Sequence, residues 1–343
     1  MDKLEPRIEI RVGSKSDIPK IAKAYETLDE LAIPYTPRIL SAHRTPGLMM
    51  SEARSLRENG FFACIAAAGG SAHLPGMTAS ETTIPVIGLP VKTPALSGQD
   101  SLYSIIQMPT GIPIGAVAPG AAREAAILAA QIAYHGDPVF RERMREYRHL
   151  PKATQGQSER PEVWVLYPQA MERPEQAAKT LERFEITTEY TRIPPHDFGQ
   201  MADVCRLAEE NGIDAIIAVG MLDGENTTNS FPGFISSHTV LPVIGVPMAS
   251  GYAGSGNYME GDIFRSMLGL SQPEEDYEGF VIAGMGINRI ENAALYAAEI
   301  AALSRPRISF RLDHYKSGLE ASSMRDDERI QALGVSAFIQ KEK

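Results

Sequence analysis

The sequence predicts an α/β protein in which a parallel sheet, covered by helices on both faces, occurs twice. Three observations carry this. Short apolar runs of strand length alternate with helical patterns, which implies right-handed βαβ crossovers. The same series of motifs starts again roughly 150–170 residues later, a domain-sized duplication rather than a solenoid repeat. The length, 343 residues, exceeds one ordinary α/β domain and suits two.

The first element is Ile8-Glu9-Ile10-Arg11-Val12, a weakly alternating strand that breaks into Gly13-Ser14-Lys15-Ser16-Asp17. A helical pattern follows over residues 18–31, with Ile21, Ala24, Tyr25, Leu28 and Leu31 at helical spacing and Asp17 at or near the N-cap. Strand, Gly-Ser turn and helix N-terminus together make an anion-binding site of backbone dipoles and hydroxyls. An ordinary capped helix accounts for the same residues. The spacing is neither that of a P-loop nor that of a dinucleotide fingerprint.

Residues 35–40 form the second strand, which ends at Ser41-Ala42-His43-Arg44-Thr45-Pro46. Adjacent Ser, His and Arg are costly to bury unless a ligand satisfies them. Arg takes a phosphate bidentately, and His exchanges a proton near neutral pH. The plainer reading is a charged loop leading to a helix over residues 48–58.

The third strand, Phe61-Phe62-Ala63-Cys64-Ile65-Ala66-Ala67, is apolar throughout and stops at Ala68-Gly69-Gly70-Ser71-Ala72-His73-Leu74-Pro75-Gly76. A continuous apolar run ending in paired glycines reads as a buried parallel strand that stops at a ligand. A tight strand-to-helix connection with a solvated His fits as well. The functional reading gains because three strand ends carry polar clusters of the same kind. Ile84-Pro85-Val86-Ile87-Gly88-Leu89-Pro90 is the fourth strand, followed by a polar loop over 94–100 and a short helix from Ser101 into Gln107-Met108-Pro109. Residues 114–118 are the fifth strand and 121–134 an Ala-rich helix. Met49, Met50, Met77 and Met108 read as core or interface fillers with no metal role.

Residues 137–161 turn Arg- and Glu-rich, then Gln-, Ser- and Gly-rich, and read as a charged helical extension followed by a linker. The pattern then returns. Glu209-Glu210-Asn211-Gly212 echoes Arg57-Glu58-Asn59-Gly60, and Leu241-Pro242-Val243-Ile244-Gly245-Val246-Pro247 repeats the fourth strand. Ala293-Ala294-Leu295-Tyr296-Ala297-Ala298-Glu299 repeats the Ala-rich helix. The second copy keeps the scaffold and loses the chemistry. Leu166-Tyr167-Pro168-Gln169-Ala170 stands for the Gly-Ser turn, and Pro194-Pro195-His196-Asp197 for the Ser-Ala-His-Arg cluster, with no Arg. His196 and His238 read as solvated. The tail from Pro306 is a polar helical arm whose contact, a neighbouring subunit among the options, the sequence leaves open. The expected division is 1–136, an extension and linker at 137–161, the second copy at 162–304 and an arm at 305–343.

Apolar content of 43% with 22% charged residues is that of a soluble globular protein, and a net charge of -10 argues against nucleic-acid or anionic-membrane partners. Cys64 and Cys205 lie in apolar or helical patterns, which suits reduced thiols in a cytoplasmic protein. The first residues do not form a signal peptide, and no apolar run spans a bilayer.

In the first 135 or so residues, four motifs in order resemble the PurE family of purine biosynthesis: residues 13–17, 41–46, 68–76 and Asp100-Ser101-Leu102-Tyr103-Ser104-Ile105-Ile106-Gln107-Met108-Pro109. The second half looks like a degenerate copy. The resemblance implies a flavodoxin-like three-layer sandwich assembling into octamers with shared active sites, and hence a homotetramer for a two-domain chain. It implies a small ribonucleotide substrate, no metal and no cofactor. Two activities occur in the family: a mutase moving the carboxylate of N5-carboxyaminoimidazole ribonucleotide (N5-CAIR) to C4, and a carboxylase adding CO2 to aminoimidazole ribonucleotide (AIR). Ala95-Leu96-Ser97-Gly98 followed by Asp100 looks like the mutase class. Thr110 stands where typical members carry Arg, which points to a changed subunit contact. On this resemblance His43 is the proton shuttle, and Ala68, Gly69 and Gly70 hold the migrating carboxylate. Ser14, Ser16, Ser41 and Arg44 suit the phosphate and Asp17 the ribose. Ser71, His73 and Leu74 complete the pocket, His73 being open to a merely structural role. The alternatives are direct AIR carboxylation, a carboxylation of another substrate, or a non-catalytic nucleotide-binding scaffold.

Overall fold

The computed structural model describes residues 7–94, 96–150, 161–168, 172–194, 197–221, 231–248 and 281–341. The first half runs β1 (Arg7–Val12), α1 (Ala22–Glu30), β2 (Tyr35–Ile39), α2 (Pro46–Arg54), β3 (Phe61–Ala68), α3 (His73–Glu81), β4 (Val86–Pro90), α4 (Gln99–Ile106), β5 (Gly115–Ala116), α5 (Ala122–Ala133) and α6 (Pro138–Tyr147). The second runs β6 (Val163–Pro168), α7 (Glu175–Arg183), β7 (Thr188–Ile193), α8 (Phe198–Glu210), β8 (Ala215–Met221), α9 (Phe231–Ser237), β9 (Val243–Met248), β10 (Ala283–Gly284) and α10 (Ile290–Ala302). It is followed by α11 (Pro306–Leu333) and α12 (Val335–Lys341).

Among the described residues, ten strands join one sheet in the order β2-β1-β3-β4-β5-β10-β9-β8-β6-β7. Each half contributes the same doubly wound parallel set, with its first strand inside and its second at the edge, and so is a flavodoxin-like α/β sandwich. The halves meet where β5 and β10 pair antiparallel at Ala116 and Gly284. That single reversal relates the halves by an approximate two-fold axis, so the carboxyl ends of β1–β4 and of β6–β9 face opposite edges. The seam is tight: a Cβ on Gly115 would lie 2.7 Å from the Ala283 side chain and 2.8 Å from the Tyr296 hydroxyl. The fifth strand is two residues long where five were expected.

Core placement follows the pattern of small residues. β3 is buried nearly throughout because β1 and β4 flank it and helices cover both faces. α1 and α5 pack together on one face, and α2, α3 and α4 share the other. α5 is buried at every position but Arg123, with Glu124 and Gln131 among its buried residues, and it packs on the sheet and on α1. On its face one core runs unbroken from Ile8 and Ile10 to Ile244 and Leu295.

The trailing helices cross the seam. α6 sends Arg141 to the Ile213 carbonyl (3.2 Å), and Asp313 of α11 accepts from the Thr83 hydroxyl (3.0 Å). The tail, whose contact the sequence left open, therefore packs on the first half of its own chain. Among the described residues no helix is long and apolar enough to cross a membrane.

Candidate active site

Three polar loops singled out in the sequence meet at the carboxyl ends of β1, β2 and β3. In the first, Ser14 caps a 3-10 turn, Lys15–Asp17, and its hydroxyl accepts from the Ser16 hydroxyl (3.0 Å). Asp17, expected at or near the helix N-cap, is the last residue of that turn and pairs with Lys20 (3.2 Å). The chain passes through two 3-10 turns before α1 starts at Ala22, so capping moves back to Ser14, whose extended backbone allows it.

Arg44 ties the second loop to the first. Its Nη2 donates to the Gly13 carbonyl (2.7 Å), and its Nε and backbone N–H donate to the Ser41 hydroxyl (3.3 and 3.2 Å). His43 ties the second loop to the third: His43 Nε2 and His73 Nδ1 lie 2.8 Å apart, with the rings edge to face at 83°. One of the two facing nitrogens donates and the other accepts, so the pair shares a single proton along this contact. Both imidazoles are exposed.

Gly70 adopts φ +66°, which only glycine takes without strain. Its N–H donates to the Ser101 hydroxyl (2.8 Å), which in turn donates to the Val91 carbonyl (3.1 Å). Asp100 accepts from Thr93 (3.1 Å) beside it. A Cβ on Gly69 would sit 3.6 Å from Val91 and Thr93, ordinary contact, so packing within the chain does not require glycine there. Ala68 is buried at the end of β3 and Ser71 is exposed. Leu74 points into the core beneath α3 at 2% exposure, so its side chain does not face the loops.

Two features escape a reading of the sequence. Thr93, Ser101 and Ser104 brace the glycine turn, although the Asp-Ser-Leu-Tyr-Ser string flags the segment. Beneath α3 lies a fully buried ion pair: Arg11 Nε donates to Glu9 (2.6 Å), and Arg11 Nη1 donates to the Thr78 hydroxyl (3.2 Å). Burial pushes the Glu9 carboxyl up, and the Arg11 guanidinium opposes the shift. The signal was two opposite charges on one face of a strand.

The second half has no such meeting of loops among the described residues. Asp197 caps α8 by accepting from the Gln200 N–H (2.9 Å). His238 stacks on Phe234 at 4.0 Å and bonds the Phe234 carbonyl (2.9 Å). His196, residues 222–230 and the glycine-rich stretch 251–261 lie outside the described residues. At the seam, Asn292 donates to the Pro109 carbonyl (3.0 Å) and accepts from the Gly111 N–H (2.9 Å). Thr110, the departure from the family pattern, thus sits in a loop held by the second half.

A flavodoxin-like domain with Ser, His, Arg and paired glycines converging on its strand ends defines a small-molecule α/β enzyme fold. The chain matches the model of the AIR carboxylase family over residues 7–154 and again over 169–322, and it belongs to that family as a tandem duplication. The N5-carboxyaminoimidazole ribonucleotide mutase of Synechocystis is 49% identical over 143 residues, 42% of this chain and 81% of that protein. The mutase of the same name from Escherichia coli K12 is 49% identical over 144 residues, 41% of this chain and 85% of that one. The crystal structure of Treponema denticola PurE is 29% identical with a TM-score of 0.39, covering 42% of this chain and 90% of that one.

Proposed function

We propose that the first half is an N5-CAIR mutase and that the second is a non-catalytic partner. The observation that carries this is the convergence of His43, His73, Arg44 and the Gly69-Gly70 turn on one set of strand ends, in a chain whose relatives bear the mutase name. In this reading the carbamate N–C bond of N5-CAIR breaks, the nitrogen takes a proton from His43, and CO2 stays in the pocket. C4 of the resulting AIR attacks the CO2 carbon, and the C4 proton returns to His43, so the catalyst is regenerated. Holding both fragments makes recombination effectively unimolecular. Gly69, which internal packing does not explain, lets bare amides approach the migrating carboxylate. Arg44 and the hydroxyls of Ser14, Ser16 and Ser41 take the phosphate, exchanging their internal bonds for charge-assisted ones. Asp17 takes the ribose hydroxyls, and Ser71 and His73 close the pocket. The reading needs neither metal nor cofactor.

The chain then works in the cytoplasm as a homotetramer whose eight domains, residues 1–136 and 162–304 of each chain, fill the positions of a family octamer. The direct test supplies purified protein with N5-CAIR, or with AIR plus bicarbonate, and measures 4-carboxy-5-aminoimidazole ribonucleotide. Turnover only of AIR plus bicarbonate would replace the mutase by a carboxylase, and no turnover of either would leave a scaffold. Light scattering that gives a monomer would refute the tetramer.

A further inference from the structure

The helix that presents His73 is capped at its other end by the far half of the chain. α3 spans nine residues, about 13 Å at 1.5 Å per residue, and its last carbonyls lack intrahelical donors. Lys316 of α11 supplies them, donating to the carbonyls of Ala79 (2.6 Å) and Thr82. Glu299 of α10 lies 3.6 Å from the same ammonium. Arg57 donates to the Thr83 carbonyl (2.8 Å), and Asp313 accepts from the Thr83 hydroxyl. At the same end of α3, Arg54 of α2 pairs with Glu81, the last residue of the helix (2.6 Å).

The same device recurs across the approximate two-fold axis. Aligning Ile84-Pro85-Val86 with Leu241-Pro242-Val243 places Ala79 and Thr82 opposite Ser236 and Thr239. Arg148, just past α6 of the first half, donates to those two carbonyls, each at 2.6 Å. Arg145 pairs with Glu209, which accepts from the Thr239 hydroxyl (2.7 Å). Each half therefore caps the corresponding helix of the other on equivalent carbonyls. The caps differ in what the helix carries: α3 begins at His73, whereas α9 begins at Phe231.

We propose that Lys316 is a positioning residue for the first-half site: through α3, the second half sets where His73 meets His43. This rests on the reading of the first half as the catalytic half. Reacting groups displaced by about 1 Å lose roughly 10²-fold in rate, and His73 touches His43 over a single 2.8 Å contact. A degenerate copy retained for this purpose needs its scaffold and its arm but none of its strand-end chemistry.

The test uses the full-length chain. Burial pushes the Glu299 carboxyl up to about 8, with Lys316 and then Arg57 opposing the shift, so removing Lys316 alone would alter the protonation of Glu299 as well as the cap. Lys316→Met is therefore paired with Glu299→Gln, so that Glu299 does not titrate in the variant. Arg148→Met, at the mirror cap, is the control for lost stability. Both variants are expected to lower Tm. Only the Lys316 pair should lower kcat, by about tenfold or more, with KM within twofold. Hydrogen exchange should quicken in α3 for the Lys316 pair and in α9 for Arg148→Met. Unchanged kcat in the Lys316 pair, or an equal fall in Arg148→Met, overturns the proposal. If the wild type turns over no substrate, the functional reading fails, and the exchange measurement still decides the cap: unaltered α3 exchange overturns it.

Discussion

Replacing His43 by Asn removes the ionisable group and leaves the loop's other ties in place. The Asn amide falls where the imidazole Nδ1 lies, short of Nε2, so the His73 contact is given up, while Arg44 and Thr45 still hold the loop. His43 is exposed and its one side-chain bond is to another exposed ring, so the stability cost should stay within about 0.5 kcal/mol. The rate should fall far more. Losing a general acid–base group costs about 10²–10⁴-fold, or roughly 3–5 kcal/mol of transition-state stabilisation. His73 meets His43 directly, so the two should act as a unit, and His43→Asn with His73→Asn should lose less than the product of the two single losses. The assay is product formation from N5-CAIR with Tm recorded beside it. Near-wild-type turnover in a folded His43→Asn protein would refute the assignment, and fully multiplicative losses in the double variant would refute the coupling.

Arg44→Ala should raise KM about 10- to 100-fold, the worth of a charge-assisted bond, with Tm almost unchanged; an unaltered KM would place the phosphate elsewhere. Cys64 and Cys205 should resist alkylation at neutral pH until the chain unfolds, because both are buried and burial pushes the Cys64 thiol up to about 12; rapid labelling of the native protein would contradict this. Arg11→Met should cost about 3–5 kcal/mol by stranding Glu9, whereas Glu9→Met with Arg11→Met should recover most of it; denaturant midpoints that fail to separate the two would show the pair to be solvated.

The doubly wound fold was legible because its signal is local: apolar strands of fixed length, each followed by a polar loop and a helix. The candidate site was legible for the same reason, since chemistry in such sheets gathers at strand ends that sequence order already lists. The seam was not. The β5–β10 pairing rests on two-residue strands whose glycines and alanines carry no pattern of their own, and the register is set by Tyr296 and Ala283 far along the chain. The caps on α3 and α9 were hidden too, because Lys316 and Arg148 look like any surface charge until the arm that carries them has a place to lie. The start of α1 was misplaced by one local event, the two 3-10 turns before it.

The charges at the two caps also predict how the first half behaves alone. A chain ending at Leu150 loses β10, α10 and α11. That bares the β5 edge, which β10 now covers. The exposed surface favours a second copy placed across the same antiparallel seam, with each α6 capping the other's α3. Such a pair, however, would bring Arg145 of one copy against Arg57 of the other, because Arg57 holds the position that Glu209 fills in the intact chain. Like charges in a buried contact are costly, and the duplication has made the two ends non-interchangeable. The truncated chain should therefore sediment as a monomer or aggregate and lose most of its activity. Arg57→Glu in the same truncated chain should restore the pairing with Arg145 and drive a discrete dimer. Sedimentation of the two truncated chains side by side decides the matter, and a stable dimer of the unsubstituted one would show that the charge reversal does not set the pairing.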